Sequence, residues 1–280
     1  MGAAELAGSR RGSTGPGASL WVVLPTYNEA ENLRPFVSEL LRELAGVAEA
    51  HTVLIVDDAS PDGTGEIADE LATELSNVDV LHRSRKQGLG PAYLAGFHNA
   101  LARGAGVVVQ MDSDFSHDPA DVGRLVRALR ASDLVLGSRY VSGGAIQGWG
   151  ALRRVVSALG CWYARKVLHV PVRDLTGGFK CFRREALATL LENMQGARSR
   201  TNGYAFQVET TYRALLCGLA VCELPIVFRD RRAGVSKMTW RIALEASWRV
   251  PALVRAGRPA QMSYAAAPES RATEPRRERA

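Results

Sequence analysis

A largely apolar run ends directly at two acids near the middle of the chain. The run covers residues 107–111, and Asp112, Ser113 and Asp114 follow it. A near-continuous apolar run predicts a strand that is buried on both faces of a parallel sheet. Open α/β sheets bind their ligands beyond the carboxyl ends of such strands. The sequence therefore predicts an α/β fold with a functional site at this strand end.

The carboxylates of Asp112 and Asp114 are suited to hold a hard divalent cation. Carboxylate oxygens favour Mg²⁺ or Mn²⁺, and such a metal is commonly shared with the phosphates of a substrate. The alternative is that both acids only cap the helix that follows the strand. The motifs elsewhere in the chain decide between these two interpretations.

Strands and amphipathic helices alternate over residues 20–137. The predicted first helix, residues 29–44, places Leu33, Val37 and Leu40 on one face. Five strands separated by four helices imply a mainly parallel, Rossmann-like sheet. Beyond residue 137 the pattern changes to a Gly-rich stretch, a helix over residues 152–168, and then short strands mixed with two further helices.

Further motifs follow in a distinctive order. They are VVLPTYNE at 22–29, VLIVDDASPDGT at 53–64, GSRY at 137–140, RDLTGGFK at 173–180, GYAFQVE at 203–209 and DRRAGVSK at 230–237. Together with the acid pair they closely resemble the polyprenol-phosphate (dolichol-phosphate) mannosyltransferases, within the family 2 GT-A glycosyltransferases. The resemblance implies a GT-A fold, in which helices flank a Rossmann-like, mainly parallel sheet, with an acceptor-binding C-terminal half.

The chain divides into four predicted segments. Residues 1–18 are expected to be a disordered arm, 19–238 a GT-A glycosyltransferase domain, 239–256 an amphipathic C-terminal helix, and 257–280 a disordered tail. Trp240, Leu244 and Trp248 share one face of that helix. It either docks on the domain or lies in a membrane interface, with tryptophan at headgroup depth.

The resemblance also implies a donor site. The expected donor-binding residues are Pro25, Tyr27, Glu29, Val56, Asp58, Asp112, Ser113, Asp114, Ser116, Arg139, Gln207, Arg231 and Lys237. Of these, Asp112, Asp114 and Ser116 would hold Mg²⁺ or Mn²⁺, and Ser116 stands where some relatives carry Gln. Asp114, Arg139 and Arg231 are the expected catalytic residues.

Three of these donor-site residues have local structural alternatives. Pro25 could simply end its strand, Glu29 could be a first-turn helix acid, and Asp58 could form an Asx turn. If they are functional, the Asp58 carboxylate would accept hydrogen bonds from guanine, and Tyr27 would offer a stacking face.

Arg153 and Ser157 are the expected ligands of an acceptor phosphate. Because the second pKa of a phosphate is near 6, the acceptor is already anionic at neutral pH. It needs positioning and charge neutralisation rather than a general base. The alternative for Arg153 is a solvated helix face. Cys161 stands where many relatives carry Asn, a departure that bears on acceptor choice.

The net charge narrows the possible partners, and the cysteines indicate the cellular compartment. The net charge of +6 fits a nucleotide sugar, a lipid phosphate or an acidic membrane surface, or else a solvated Arg-rich surface. No nucleic-acid-binding motif is present. The four cysteines lack paired spacing, which favours reduced thiols and the cytosol. With neither a signal peptide nor a long apolar run, we expect a cytoplasmic protein that is peripheral on the inner face of the membrane and that can pair with a membrane-embedded partner.

The predicted activity is transfer of mannose from GDP-mannose to a polyprenyl phosphate. The family implies inversion, and the product would serve protein O-mannosylation or lipoglycan synthesis. One alternative is a polyprenyl-phosphate glucosyltransferase that uses UDP-glucose, although such relatives usually carry transmembrane helices. The other is a catalytically idle partner subunit, which the intact acid pair and the segment 231–237 argue against.

Overall fold

The computed structural model describes residues 19–196, 203–231, 248–255, 257–259 and 262–266. The predicted arm at residues 1–18, the donor residue Lys237, the N-terminal part of the predicted C-terminal helix at 239–247, and residues 267–280 of the predicted tail lie outside this part of the chain.

One eight-stranded sheet runs through the domain in the order β10-β8-β5-β7-β4-β1-β2-β3. Every pairing in it is parallel except those of β7, which runs antiparallel to both β4 and β5. A separate parallel ribbon joins β6 to β9. The strands are β1 Leu20–Thr26, β2 His51–Asp57, β3 Val78–His82, β4 Val107–Gln110, β5 Leu134–Ser138, β6 Ala145–Ile146, β7 Lys180–Arg183, β8 Val221–Pro225, β9 Val227–Phe228 and β10 Tyr264–Ala266.

Helices cover both faces of this sheet, so that two apolar cores form. Side chains alternate between the faces along each strand: Val23 and Leu54 contribute to one core, whereas Val22 and Ile55 contribute to the other. The helices are α1 Ala30–Leu44, α2 Thr64–Glu74, α3 Leu89–Ala102, α4 Val122–Ala128, α5 Ala151–Leu168, α6 Arg184–Gly196 and α7 Gly203–Leu216. None of the described helices is long and apolar enough to cross a membrane.

The predicted mainly parallel α/β sheet is confirmed, with β1–β5 and α1–α4 in the expected order. Two details go beyond this prediction. Residues Pro119–Asp121 form a 3₁₀ turn before α4, where Asp118 accepts a hydrogen bond from the amide of Ala120. Strand β7 comes from the second half of the chain and inserts between β4 and β5, so both halves share one sheet.

A short stretch of the C-terminal segment forms a strand that its composition did not predict. The prediction of disorder from residue 257 is wrong for Tyr264–Ala266, which pair with β8 at the sheet edge. The Tyr264 hydroxyl donates to Glu223 Oε2 over 2.7 Å, and the Tyr212 hydroxyl donates to the Gly257 carbonyl over 2.6 Å. Residues 248–254 are helical, and Val250 is buried in the core, so this part of the predicted C-terminal helix docks on the domain.

Helix α3 lies very close to the sheet at Gly96. A Cβ atom at this position would clash with Val23 Cγ1 and lie 3.0 Å from Val56 Cγ2. Both neighbours are β-branched core side chains with little freedom to move. Glycine is therefore required here by packing, although it lowers helix propensity.

We expect Gly96→Ala to lower the free energy of unfolding by about 1–3 kcal/mol, because overpacking outweighs the propensity gain. The matched control is Gly160→Ala in α5, where an added Cβ meets nothing within 4 Å. That control should raise stability by up to about 1 kcal/mol. Urea denaturation of both variants measures the difference, and a stabilised Gly96→Ala would contradict the packing.

Strand β7 carries a buried ammonium group. Lys180 is inaccessible to solvent, and its Nζ donates to the Gln207 carbonyl over 2.8 Å and to Thr210 Oγ1 over 3.3 Å. Burial lowers the pKa of Lys180 to about 7, and the nearby Asp174 carboxylate opposes this effect. The side chain therefore ties β7 to α7 at a cost in desolvation that depends on pH.

A lysine with a lowered folded-state pKa binds fewer protons in the folded chain than in the unfolded chain between pH 7 and 10.5. Stability attributable to Lys180 should therefore rise with pH, by about 1 kcal/mol from pH 7 to pH 8. Lys180→Met should remove this increment. The measurement is urea denaturation of both proteins at the two pH values; equal pH dependence in the two proteins would show that Lys180 is not the source.

Candidate active site

A cleft of about 340 Å³ opens at the carboxyl ends of β1, β2, β4 and β5. It lies where a parallel sheet is expected to bind ligands. The structure brings most of the predicted site residues together there: Pro25, Tyr27, Glu29, Asp58, Asp112, Ser113, Asp114, Ser116, Arg139, Arg153, Gln207 and Arg231. Residues far apart in the sequence thus form one site.

Among the described residues, two of the predicted ones do not line the cleft. Val56 is fully buried in the core beneath α3. Ser157 is buried on the inner face of α5, where its Oγ accepts a hydrogen bond from the Tyr140 hydroxyl over 2.8 Å. Lys237 lies outside the described residues. The structure therefore shows Ser157 in a contact within the protein, and its role as an acceptor ligand stays a prediction.

The loops that form the cleft have unusual backbone conformations. Asn28, Ala59 and Phe115 have φ values of 57°, 58° and 63° and follow β1, β2 and β4. This left-handed region is unfavourable for residues other than glycine, most clearly for Ala and Phe. Such strain concentrates at functional sites. Each loop is held by the surrounding structure in a turn that directs its neighbours toward the cleft.

Asp112 and Asp114 lie side by side in different hydrogen-bonding environments. Asp112 Oδ1 accepts from the Tyr93 hydroxyl over 2.8 Å. Asp114 Oδ1 accepts from the Ser116 amide over 3.0 Å, and its Oδ2 lies 2.8 Å from Arg231 Nε. Burial and the nearby Asp112 raise the pKa of Tyr93 well above its usual value, so this hydroxyl stays a donor. Both carboxylates are thereby oriented before any ligand binds.

His117, which sequence reasoning missed, supports the same loop. Its Nδ1 accepts a hydrogen bond from the Asp112 amide over 3.1 Å, and its ring stacks on Phe179 with centroids 5.1 Å apart. Burial lowers the pKa of His117, despite the opposing effect of nearby acids, so the neutral ring can accept at Nδ1. The only sequence signal was its place in the same loop, directly after Ser116.

The acid pair has the oxygen chemistry of a divalent-cation site. Ser113 Oγ and Ser116 Oγ are buried and have no hydrogen-bond partner in the described part of the chain. Within those described residues, no group of three or more His, Cys, Asp and Glu side chains could hold a metal ion. A cation beside Asp112 and Asp114 therefore needs further oxygen ligands, for which the Ser116 hydroxyl and substrate phosphates are suitable.

Arg139 is bound by a buried carboxylate. Its Nε donates to Asp174 Oδ2 over 2.7 Å, and its Nη2 donates to Asp174 Oδ1 over 2.6 Å and to Thr176 Oγ1 over 2.7 Å. Burial alone would raise the pKa of Asp174, but the guanidinium holds it below its usual value. The charge of Arg139 is thus largely balanced inside the protein, although the side chain lines the cleft.

Cys161 joins this network from α5. Its Sγ lies 3.1 Å from Thr176 Oγ1 and 3.7 Å from Asp174 Oδ1. Burial and the nearby carboxylate raise the pKa of Cys161 to about 12, so the thiol stays protonated. A thiol is a weak hydrogen-bond donor. At this position the chain therefore uses a small, weakly polar contact.

Asp58 holds one wall of the cleft. Its carboxylate pairs with the Arg83 guanidinium and accepts from the amides of Gln87 over 3.0 Å and Gly88 over 2.8 Å. In this loop, Lys86 Nζ lies 3.6 Å from the centroid of the Tyr27 ring. The predicted contact of Asp58 with a base would compete with these partners. Lys86 itself was missed as a cleft residue, because its segment matches no phosphate-loop spacing.

The opposite wall is aromatic and cationic. Arg153 lies over Trp149, with Cζ 3.9 Å from the ring centroid, and its Nη1 donates to Asp230 Oδ1 over 3.0 Å. Trp149 meets Phe228 edge-on. Arg153 therefore faces the cleft rather than solvent alone. Trp149 and Phe228 were not predicted, because they come together only when β6 pairs with β9.

The sequence of the chain is similar to those of known glycosyltransferases. The family model described as "Glycosyl transferase family 2" matches residues 21–191. Polyprenol monophosphomannose synthase of Mycolicibacterium smegmatis is 44% identical over 231 residues, which are 82% of this chain and 84% of that protein. Undecaprenyl-phosphate mannosyltransferase of Micrococcus luteus is 43% identical over 224 residues, covering 80% and 89%.

Solved structures share the fold at lower identity. Glucosyl-3-phosphoglycerate synthase of Mycobacterium tuberculosis, solved with Mn²⁺, UDP-glucose and phosphoglyceric acid, aligns with a TM-score of 0.62 at 20% identity, covering 87% of this chain and 81% of that one. A mannosyltransferase from Pyrobaculum calidifontis, solved with GDP-mannose and Mn²⁺, aligns with a TM-score of 0.56 at 18% identity, covering 87% and 66%.

We expect Asp174→Asn to destabilise the fold strongly, because it leaves the Arg139 charge buried without a counter-ion. The expected loss is about 3–5 kcal/mol in free energy of unfolding. The matched control is Asp118→Asn, which removes an exposed pair with Arg229 and should cost less than about 1 kcal/mol. Denaturation in urea measures both variants. Similar losses in the two would contradict a special role for the buried pair.

Proposed function

The chain belongs to glycosyl transferase family 2, and we propose that it transfers mannose from GDP-mannose to a polyprenyl phosphate. The observation that carries this proposal is the cleft in which the acid pair Asp112 and Asp114 meets Arg231 and Arg153. Such a cleft can hold two phosphate-bearing substrates at once. The two curated relatives act, by their names, in polyprenol monophosphomannose synthesis and undecaprenyl-phosphate mannosyl transfer, which supports the choice of sugar and acceptor.

The nucleotide end of the donor fits between β1 and β2. There Tyr27 offers a ring face, Pro25 and Glu29 line the wall, and Lys86 supplies positive charge. The glutamate is already oriented, because its Oε2 accepts from Asn32 Nδ2 over 2.9 Å. Asp58 contributes by holding the loop that carries Lys86. We assign the base and ribose of GDP to this end.

The diphosphate end of the donor fits at the acid pair. Asp112, Asp114 and Ser116 would hold Mg²⁺ or Mn²⁺, which neutralises charge on a leaving diphosphate when it is bound. Arg231, now paired with Asp114, can turn its guanidinium toward phosphate oxygens. We also propose that Lys237, which is not among the described residues, contacts the donor diphosphate. Gln207 accepts from Gln110 Nε2 over 2.7 Å, which orients it toward the same region.

The acceptor phosphate enters past Arg153 and attacks the sugar directly. A phosphate monoester is anionic at neutral pH, so attack requires positioning and relief of repulsion rather than proton removal. Among the described cleft residues, each carboxylate is already engaged: Glu29 by Asn32, Asp58 by Arg83, Asp112 by Tyr93, Asp114 by Arg231 and Asp230 by Arg153. This supports in-line displacement with inversion over a covalent intermediate on a carboxylate.

We further propose that the chain works as a peripheral protein on the inner face of the membrane, with or without a membrane-embedded partner. All four cysteines are free thiols, which suits a reducing compartment. The donor is water-soluble and the acceptor is anchored in lipid, so the cleft must meet both phases. The product, a polyprenyl-phosphate mannose, would supply protein O-mannosylation or lipoglycan synthesis.

We expect Asp114→Asn to lower mannosyl transfer at least about 100-fold, because it removes a carboxylate from the cation site. The amide retains an oxygen that can accept from the Ser116 amide, so the thermal midpoint should change little. Transfer of labelled mannose from GDP-mannose to a polyprenyl phosphate measures the effect. Asp118→Asn, four residues along the chain, is the control and should stay active. Full turnover by Asp114→Asn would remove the metal role.

A further inference from the structure

Helix α5 buries mostly small side chains and exposes large apolar ones. Its buried face is made mostly of small residues, namely Ser157, Cys161, Ala164 and Leu168. Its outer face exposes large apolar side chains, with exposed fractions of 78% at Leu152, 54% at Val155, 42% at Val156, 57% at Leu159 and 56% at Trp162. An amphipathic helix of a globular protein normally buries such side chains against the core.

These apolar residues form one continuous stripe. They recur at i, i+3, i+4, i+7 and i+10, so they lie on neighbouring turns of the same helix face. Single exposed apolar residues are ordinary, but a contiguous patch marks an interaction surface. Of the seven large apolar residues that are exposed in the described part of the chain, five belong to this stripe.

The charges on α5 point to the kind of partner. The helix contains four cationic residues, Arg153, Arg154, Arg165 and Lys166, and no acid. Arg154 and Lys166 are exposed near opposite ends of the apolar stripe. This combination fits a surface that is anionic outside and apolar beneath. A second copy of the chain fits poorly, because face-to-face pairing of two α5 helices would bring these cations together.

The position of α5 connects this surface to the cleft. Arg153 in its first turn lines the cleft, whereas Leu152 beside it is the most exposed residue of the apolar stripe. Trp149, just before the helix, also lines the cleft. A membrane that contacts the stripe would therefore lie at the mouth of the cleft, with its phosphate groups close to Arg153.

We propose that the exposed face of α5 docks on an anionic lipid bilayer, lying in the interface with its apolar side chains among the lipids. Trp162 takes the headgroup depth at which tryptophan is favoured, and Arg154 and Lys166 contact lipid phosphates. The docking deepens the proposed peripheral membrane attachment by naming its surface, and it does not depend on mannosyl transfer. That the docked membrane also delivers the acceptor rests on the proposed mannosyl transfer.

The test is flotation of the full chain with vesicles of phosphatidylcholine, with and without phosphatidylglycerol, in the absence of donor. Leu159→Ser/Trp162→Ser should lower binding to the anionic vesicles at least about tenfold, because two apolar side chains no longer leave water. The matched control is Trp248→Ser, which removes a tryptophan that is likewise 56% exposed but lies outside α5. The control should bind as the unaltered chain does.

A second variant tests the charges separately. Arg154→Gln/Lys166→Gln should lower binding to anionic vesicles by roughly fivefold for each charge removed, with little effect on neutral vesicles. Added salt should reproduce this loss, because it screens exposed charges. An equal loss on both vesicle types would contradict the charge assignment.

The outcomes separate docking from catalysis. With docking and mannosyl transfer both correct, Leu159→Ser/Trp162→Ser keeps its turnover on a water-soluble short-chain acceptor and loses turnover on a long-chain acceptor in vesicles. If no acceptor is used but flotation depends on α5, the docking stands and the proposed function fails. The docking proposal is overturned if the variant floats unchanged, if only Trp248→Ser lowers flotation, or if the variant merely converts a dimer to a monomer in sedimentation.

Discussion

The buried ion pair between Arg139 and Asp174 is the interaction on which the rest of the site depends. It joins the end of β5 to the loop before β7. Glu223 on β8 accepts from the Asp174 amide over 2.8 Å and is itself held by Tyr264 of β10. Cys161 adds α5 to the same cluster. A buried pair of this kind contributes little net stability when intact but is costly to break, so it fixes one arrangement of these elements.

Ion pairs between arginines and carboxylates determine how the cleft can bind phosphates. In the described part of the chain, three arginines line the cleft, and each is paired with a carboxylate: Arg139 with Asp174, Arg153 with Asp230, and Arg231 with Asp114. The first pair is buried, whereas Arg231 and Asp230 are partly exposed. Substrate phosphates can therefore replace the carboxylate partners of Arg153 and Arg231, whose guanidinium groups are partly exposed, while the buried pair keeps its geometry. Arg139 is then best understood as a positioning residue, and the expectation that it contacts the diphosphate stays a prediction.

The sequence predicted the elements whose signals are local. Apolar periodicity located β1–β5 and α1–α4, and the acid pair located the cleft. The insertion of β7 could not be predicted in this way, because strand pairing across long separations leaves no periodic signal. The same holds for β10, whose docking depends on Glu223 rather than on its own Ala-rich composition. The burial of Val56 was not foreseen, because its place in a motif drew attention away from the alternation of β2, which directs this side chain toward Gly96 in the core. Its contact with the donor stays a prediction.

We propose that the cleft transfers mannose from GDP-mannose to a lipid phosphate with the help of a divalent cation. The most direct measurement offers the chain labelled GDP-mannose, UDP-glucose and UDP-N-acetylglucosamine with a polyprenyl phosphate, each in Mg²⁺, in Mn²⁺ and in EDTA. We expect a labelled lipid product from GDP-mannose alone, and none in EDTA. Transfer from UDP-glucose instead would contradict the assignment of the nucleotide end, and transfer that persists in EDTA would contradict the role of Asp112 and Asp114.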